Sequence, residues 1–131
     1  MQDEKGRMYF GTDKGIYRYE GNTFKQISNG DGLTNDKVRV LFQDAQHKIW
    51  VGTLKGIYYL EGDKAISFDE AYKLPKAPIT SVISDNFGNI LISTYDFGVI
   101  RYNSRIQANP VQLINKKTGL TNERILFNFL D

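Results

Sequence analysis

Apolar residues in this chain come in short runs broken by Gly, Asn and Asp, not at the 3.6-residue spacing that an amphipathic helix requires. The runs favour β-branched and aromatic residues, as in Met8-Tyr9-Phe10, Ile49-Trp50-Val51, Ile57-Tyr58-Tyr59-Leu60 and Ile90-Leu91-Ile92. Such segments pack well on a pleated surface, and the Gly and Asp positions between them suit tight turns. The pattern predicts strands at 8–12, 16–19, 38–43, 49–53, 57–60, 82–84, 90–93 and 99–102, with a further strand of the second repeat at about 65–68.

The segments repeat. Asp3, Asp44 and Asp85 open three copies of one frame at 41-residue intervals, and Asp131 opens a fourth, 46 residues further on. Leu33, Leu74 and Leu120 each precede the next Asp by 11 residues, and Gly-Leu-Thr-Asn recurs at 32–35 and 119–122. A period of 40 to 45 residues holding four short strands is the signature of a β-propeller blade. The fold expected is therefore all-β: a β-propeller fragment of about three four-stranded antiparallel blades, as one segment over 1–131. Its frames run at about 3–43, 44–84 and 85–130, with a final inner strand at 124–130. In strand order the first blade lacks its inner strand, and the chain carries one inner strand too many at the other end.

In each frame an Asp-x-x-Gly element joins the first strand to the second. The carboxylate can accept backbone amides of its own turn, and Gly takes the positive φ that closes the hairpin. His47, the one histidine, stands where the other frames have Gly6 and Gly88, and it reads as a turn residue with positive φ, not as a ligand or base. Trp50, Tyr9 and Leu91 share one slot on the second strand, where packing between blades is expected. Gly11 and Gly52 follow in a slot that suggests close approach of backbone or of a facing aromatic. Tyr17, Tyr19, Tyr58, Tyr59 and Tyr102 recur on the third strand as half-buried packing residues.

The string Gly-Leu-Thr-Asn, then Val38-x-x-Leu41-x-x-Asp44, then Ile49-Trp50-Val51-Gly52-Thr53-x-x-Gly56-Ile57-Tyr58, resembles the two-component regulator propeller repeat. The resemblance extends over essentially the whole chain. It implies a periplasmic sensing module of a hybrid two-component system that controls polysaccharide use, with any histidine kinase elsewhere on a longer polypeptide. The third frame departs from the pattern: Leu91-Ile92-Ser93 replaces Trp50-Val51-Gly52, one residue is inserted in the turn before Gly98, and Asn128 takes the slot of Leu41 and Val82.

Composition narrows the function. Seventeen basic against fifteen acidic residues give a net charge of +2 without a basic run, so nucleic acid is not expected as a partner. No apolar stretch has the length of a membrane span, the N-terminal residues do not form a signal peptide, and no membrane contact is expected of this segment. With no cysteine and one histidine there is no spacing for a metal site, and no cofactor is expected. No nucleophile elbow appears, and the Asp residues recur by blade as turn formers, so no catalytic residue is assigned.

Ligand contact is expected first at Tyr95-Asp96-Phe97, where two aromatics flank a carboxylate in the lengthened turn. Aromatic faces stack on sugar rings, and carboxylates bond their hydroxyls. Arg39 and Arg124, with Lys37, begin inner strands beside the central channel and could meet an anionic glycan. The leading function is a non-catalytic sensor module for a polysaccharide-derived ligand. A protein–protein interaction scaffold is the alternative, and a propeller-type lyase fragment, which would need catalytic residues from other blades, is the second. The partners expected are an oligosaccharide and either further propeller blades or a second copy of the chain.

Overall fold

The computed structural model of the protein describes residues 1–33 and 37–115. Asn35, the second Gly-Leu-Thr-Asn, Arg124 and the inner strand expected at 124–130 lie outside these residues.

Eleven strands are described: β1 (Met8–Thr12), β2 (Gly15–Glu20), β3 (Thr23–Ile27), β4 (Val38–Gln43), β5 (Ile49–Thr53), β6 (Gly56–Glu61), β7 (Lys64–Ser67), β8 (Ile79–Ser84), β9 (Ile90–Thr94), β10 (Val99–Tyr102) and β11 (Val111–Ile114). They form three antiparallel sheets, β1-β2-β3, β4-β5-β6-β7 and β8-β9-β10-β11, each a meander of consecutive strands. These are three blades of a β-propeller, the first with three strands.

The Asp-x-x-Gly turns explain the recurrence of Asp. Oδ1 of Asp3 accepts the amides of Lys5 and Arg7 at 3.0 and 2.9 Å, that of Asp44 those of Gln46 and Lys48 at 2.9 and 3.0 Å, and that of Asp85 those of Phe87 and Asn89 at 2.8 and 2.9 Å. The second oxygen takes a different donor in each blade: Arg7 Nε, Trp50 Nε1 or Asn89 Nδ2. His47 has φ 68°, beside 80° at Gly6 and 83° at Gly88, as a turn residue in this slot must.

Alternation along β5 sends its side chains to two interfaces. Ile49 and Val51 pack with Tyr9, Ile16 and Ile27 of blade one, while Trp50 packs with Ile92 and Ile100 of blade three. Trp50 is fully buried, its ring centroid 5.1 Å from Phe68 and 5.8 Å from Tyr102, so the slot serves packing between blades.

Two expectations need correction. The close approach at Gly11 and Gly52 is made by neither backbone nor an aromatic ring. A Cβ at Gly11 would lie 2.6 Å from Val38 Cγ1, and one at Gly52 2.6 Å from Ile79 Cγ2, so a β-branched residue of the next blade's inner strand fills each gap. Phe68 does not end a strand. It begins a short helix, α1 (Phe68–Ala71), because Ser67 Oγ accepts the amide of Glu70 at 3.3 Å and closes the turn.

Both complete inner strands carry a bulge at the same place, between Val38 and Val40 and between Ile79 and Ser81. Arg39 and Thr80 are the extra residues, turned out of the ladder where the inner strand begins.

Candidate functional site

The rim that carries the candidate residues is built by the turns after β1, β5 and β9. Thr12, Thr53 and Thr94 each donate their hydroxyl to the carbonyl of Gly15, Gly56 or Gly98, at 2.9, 3.0 and 2.8 Å. The same oxygens accept the amides of Lys14, Lys55 and Phe97 at 3.0, 3.1 and 2.9 Å. The threonine therefore locks a Thr-to-Gly turn on this face as the Asp locks the opposite one. Its recurrence at the end of each second strand was the available signal for that role.

These turns stand against the connections into the inner strands. Leu54 N donates to Lys37 O at 3.2 Å, Gly56 N to Ala77 O at 3.0 Å, and Tyr95 N to Pro78 O at 2.9 Å. The second-to-third-strand turns and the inter-blade connections thus share one face, as the expected site requires.

In the third blade the inserted residue lifts Tyr95, Asp96 and Phe97 to the surface, with Tyr95 39% and Phe97 37% exposed. Two partly open rings flank an exposed carboxylate, all held on a turn fixed by Thr94 and by the Tyr95 amide. Such a group can place an apolar ring face and hydrogen-bond acceptors against one polar ring-shaped ligand.

Arg39 lies elsewhere on the rim. The bulge points it back to blade one, where its guanidinium donates to Asp13 at 2.8 Å and holds that carboxyl below the usual range. It also donates to the Val38 carbonyl at 3.1 Å. Arg39 belongs to the crevice between blades one and two and Tyr95-Asp96-Phe97 to blade three, so the candidates form two places on one face. Asp13 was not singled out from the sequence, although it sits in the first blade where Tyr95 sits in the third.

The opposite face holds a crevice of about 210 Å³ between blades two and three, lined by Asp44, Gln46, Lys48, Gly88, Tyr102 and Ser104. Lys48 Nζ stands 4.4 Å from the Tyr59 ring centroid and 5.6 Å from that of Trp50, covering the aromatic packing. His47 is on this face too, its Nδ1 3.7 Å from a Glu4 carboxylate oxygen. Among the described residues no group of three or more His, Cys, Asp or Glu could hold a metal ion. Nor is any helix among them long and apolar enough to cross a membrane.

Three successive propeller blades with a locked turn on each face define the class as a β-propeller segment. The family model described as two component regulator propeller matches residues 32–55 of the chain. No curated protein matches the chain. Among solved structures, the extracellular domain of the putative hybrid two component system BT3049 from B. thetaiotaomicron superposes with a TM-score of 0.77 at 18% identity, over 95% of this chain and 19% of that one. The extracellular domain of the putative hybrid two component system BT4673 from the same organism gives 0.67 at 17% identity, over 97% of this chain and 16% of that one. The likeness at these identities is one of fold, and this chain spans less than a fifth of the length of each.

Proposed function

We propose that this chain is a non-catalytic, ligand-sensing segment of the propeller of a two-component sensor, working outside the cytoplasmic membrane and reading a polysaccharide-derived oligosaccharide. The observation that carries the reading is the family match at residues 32–55, within a fold shared with two extracellular domains of hybrid systems. Tyr95-Asp96-Phe97 supports the ligand class, because an aromatic-flanked carboxylate on a rigid rim turn suits a sugar ring and its hydroxyls. Arg39 is the second contact, and its bond to Asp13 leaves a paired cation and anion that a uronic acid could divide. The kinase that would report binding belongs to the proposed parent polypeptide and takes no part in ligand contact.

Calorimetry with neutral and uronate-containing oligosaccharides tests this reading. Binding to at least one member is expected, weakened about tenfold or more by Phe97→Ala, which removes roughly 1.4 kcal/mol or more of stacking, with the circular dichroism spectrum unchanged. Cleavage of any of these sugars, abolished by a single substitution in this chain, would overturn it.

A further inference from the structure

The three blades differ at the turn from third to fourth strand. It is two residues long in blades one and two, at 21–22 and 62–63, and eight in blade three, at 103–110. Insertions of this kind in repeat proteins map to loops on one face, often the binding face. The loop folds onto the Asp85 turn of its own blade: Asn103 Nδ2 donates to Asn89 Oδ1 at 3.0 Å, and Asn89 Nδ2 to Asp85 Oδ2 at 2.7 Å. Asn103 N closes the neck on the Pro110 carbonyl at 2.8 Å, and Ile106 N closes the tip on the Asn103 carbonyl at 3.2 Å. Asn103 Oδ1 accepts the Arg105 amide at 3.0 Å. The Arg105 guanidinium then lies across Gly88, with Nη1, Cζ and Nε 3.6, 3.7 and 3.8 Å from the place of a Cβ there, so the flat group rests on the turn.

Arg105 thereby stands at one end of the crevice between blades two and three. The hollow of about 210 Å³ at Asp44, Lys48, Tyr102 and Ser104 continues past Gln46 and Gly88 into a second of about 200 Å³ at Asn86 and Arg105. Among the described residues neither Lys48 nor Arg105 forms an ion pair, and Lys48 lies over the Tyr59 and Trp50 rings instead. The carboxylates beside them, Asp44 and Asp85, are already engaged. Oδ1 of each accepts two turn amides, and the second oxygens take Trp50 Nε1 and Asn89 Nδ2. The crevice therefore gathers donors in excess of open acceptors: an ammonium, a guanidinium, the Gln46 amide and the Ser104 hydroxyl.

We infer that this crevice is a second ligand site, for a compact oxyanion of the sulfate or phosphate class, held between Lys48 and Arg105 on the face opposite the sensing rim. A guanidinium fork matches the paired oxygens of such a group, and a lysine serves it as a point charge. Size sets the class as much as charge does. The two hollows, about 210 and 200 Å³, are each smaller than the roughly 300–1,000 Å³ of pockets that enclose drug-sized ligands, so a sugar chain stays outside. Asp44 and Asp85 offset much of the field of the two cations, so directed donors hold the ion and its affinity is on the order of millimolar.

Titration of sodium sulfate and sodium phosphate into the nitrogen-15-labelled protein, with sodium chloride keeping the ionic strength constant, tests this. Saturable shifts are expected at Arg105 Nε, the Gln46 side-chain amide and the Ser104 amide. Arg105→Gln and Lys48→Met, which keeps the stem over the rings, should each weaken the binding about tenfold. Lys25→Gln, on the exposed side of blade one, should leave it unchanged. Glucose 6-sulfate separates the two sources of the group: saturation by the inorganic ions alone places a free ion in the crevice, and saturation by the ester as well places a sulfate carried on a sugar there. Shifts that grow without saturating, or saturable shifts that survive both crevice substitutions, would overturn the inference.

Discussion

Replacing Gly52 by alanine tests how closely the blades pack. The added methyl would stand 2.6 Å from Ile79 Cγ2, 2.9 Å from Ile79 Cβ and 3.1 Å from Val40 Cβ, closer than carbon atoms approach without displacement. Overpacking of this kind costs about 1–3 kcal/mol. Loss of glycine's freedom in the unfolded chain offsets roughly 0.4–1 kcal/mol of it, so the net expectation is a destabilisation of about 1–2 kcal/mol. In urea, with a slope of about 1–3 kcal/mol per molar, the midpoint should fall by roughly 0.3–2 M at unchanged slope. Ile79→Ala alone should cost about 2–5 kcal/mol, but with Gly52→Ala also present it removes the most crowded atom. The double variant should then be more stable than the sum of the single costs by about 1 kcal/mol. Gly30, with open space around its Cβ position and no positive φ, is the control, and Gly30→Ala should leave the midpoint level or slightly raised. A neutral or stabilising Gly52→Ala, or strict additivity with Ile79→Ala, would refute the close approach.

His47→Gly should hold or slightly raise stability, because the imidazole is largely exposed and the backbone has φ 68°; a loss above about 1 kcal/mol in urea unfolding would show a missed contact. Trp50→Phe should cost about 1–3 kcal/mol, since it leaves Asp44 Oδ2 without the indole donor now 2.9 Å away, and Trp50→Leu should cost at least as much. Burial first, then the Tyr72 hydroxyl, pushes Tyr102 up to about 12, so the unfolded chain loses that proton at lower pH and stability should fall as pH rises from about 10 to 12, least in Tyr102→Phe. Burial opposes ionisation of Asp3 and Asp85, but turn hydrogen bonds outweigh it and hold both below the usual range. Their contribution is therefore present above about pH 4 and lost as acid titrates the folded chain, a loss that Asp85→Asn should reduce in acid unfolding curves.

The frame was legible because its markers are backbone requirements: Asp to accept turn amides, and Gly or His47 at positive φ. Those demands repeat with the fold whatever the side chains around them. The start of β8 was not legible, since Thr80 and Ser81 interrupt the apolar run and Thr80 is the bulged residue. Nor was α1, because a single cap by Ser67 decides between strand and helix at Phe68. The identity of the residues filling Gly11 and Gly52 depends on how far the next inner strand leans in, which periodicity does not encode. At the rim, aromatic character and the inserted residue singled out Tyr95-Asp96-Phe97. The Arg39–Asp13 pair needed the bulge, a register shift that leaves no residue-type mark.

The proposed sensing rim is tested most directly by following backbone amide resonances of the protein as the oligosaccharide with the strongest calorimetric signal is added. The account predicts saturable shifts centred on Tyr95, Asp96 and Phe97, extending along the same face to Thr94 and Gly98 and, for a uronate-containing ligand, to Arg39 and Asp13. Shifts centred instead on the crevice at Asp44, Lys48 and Tyr102 on the opposite face, or none at saturating ligand, would contradict it.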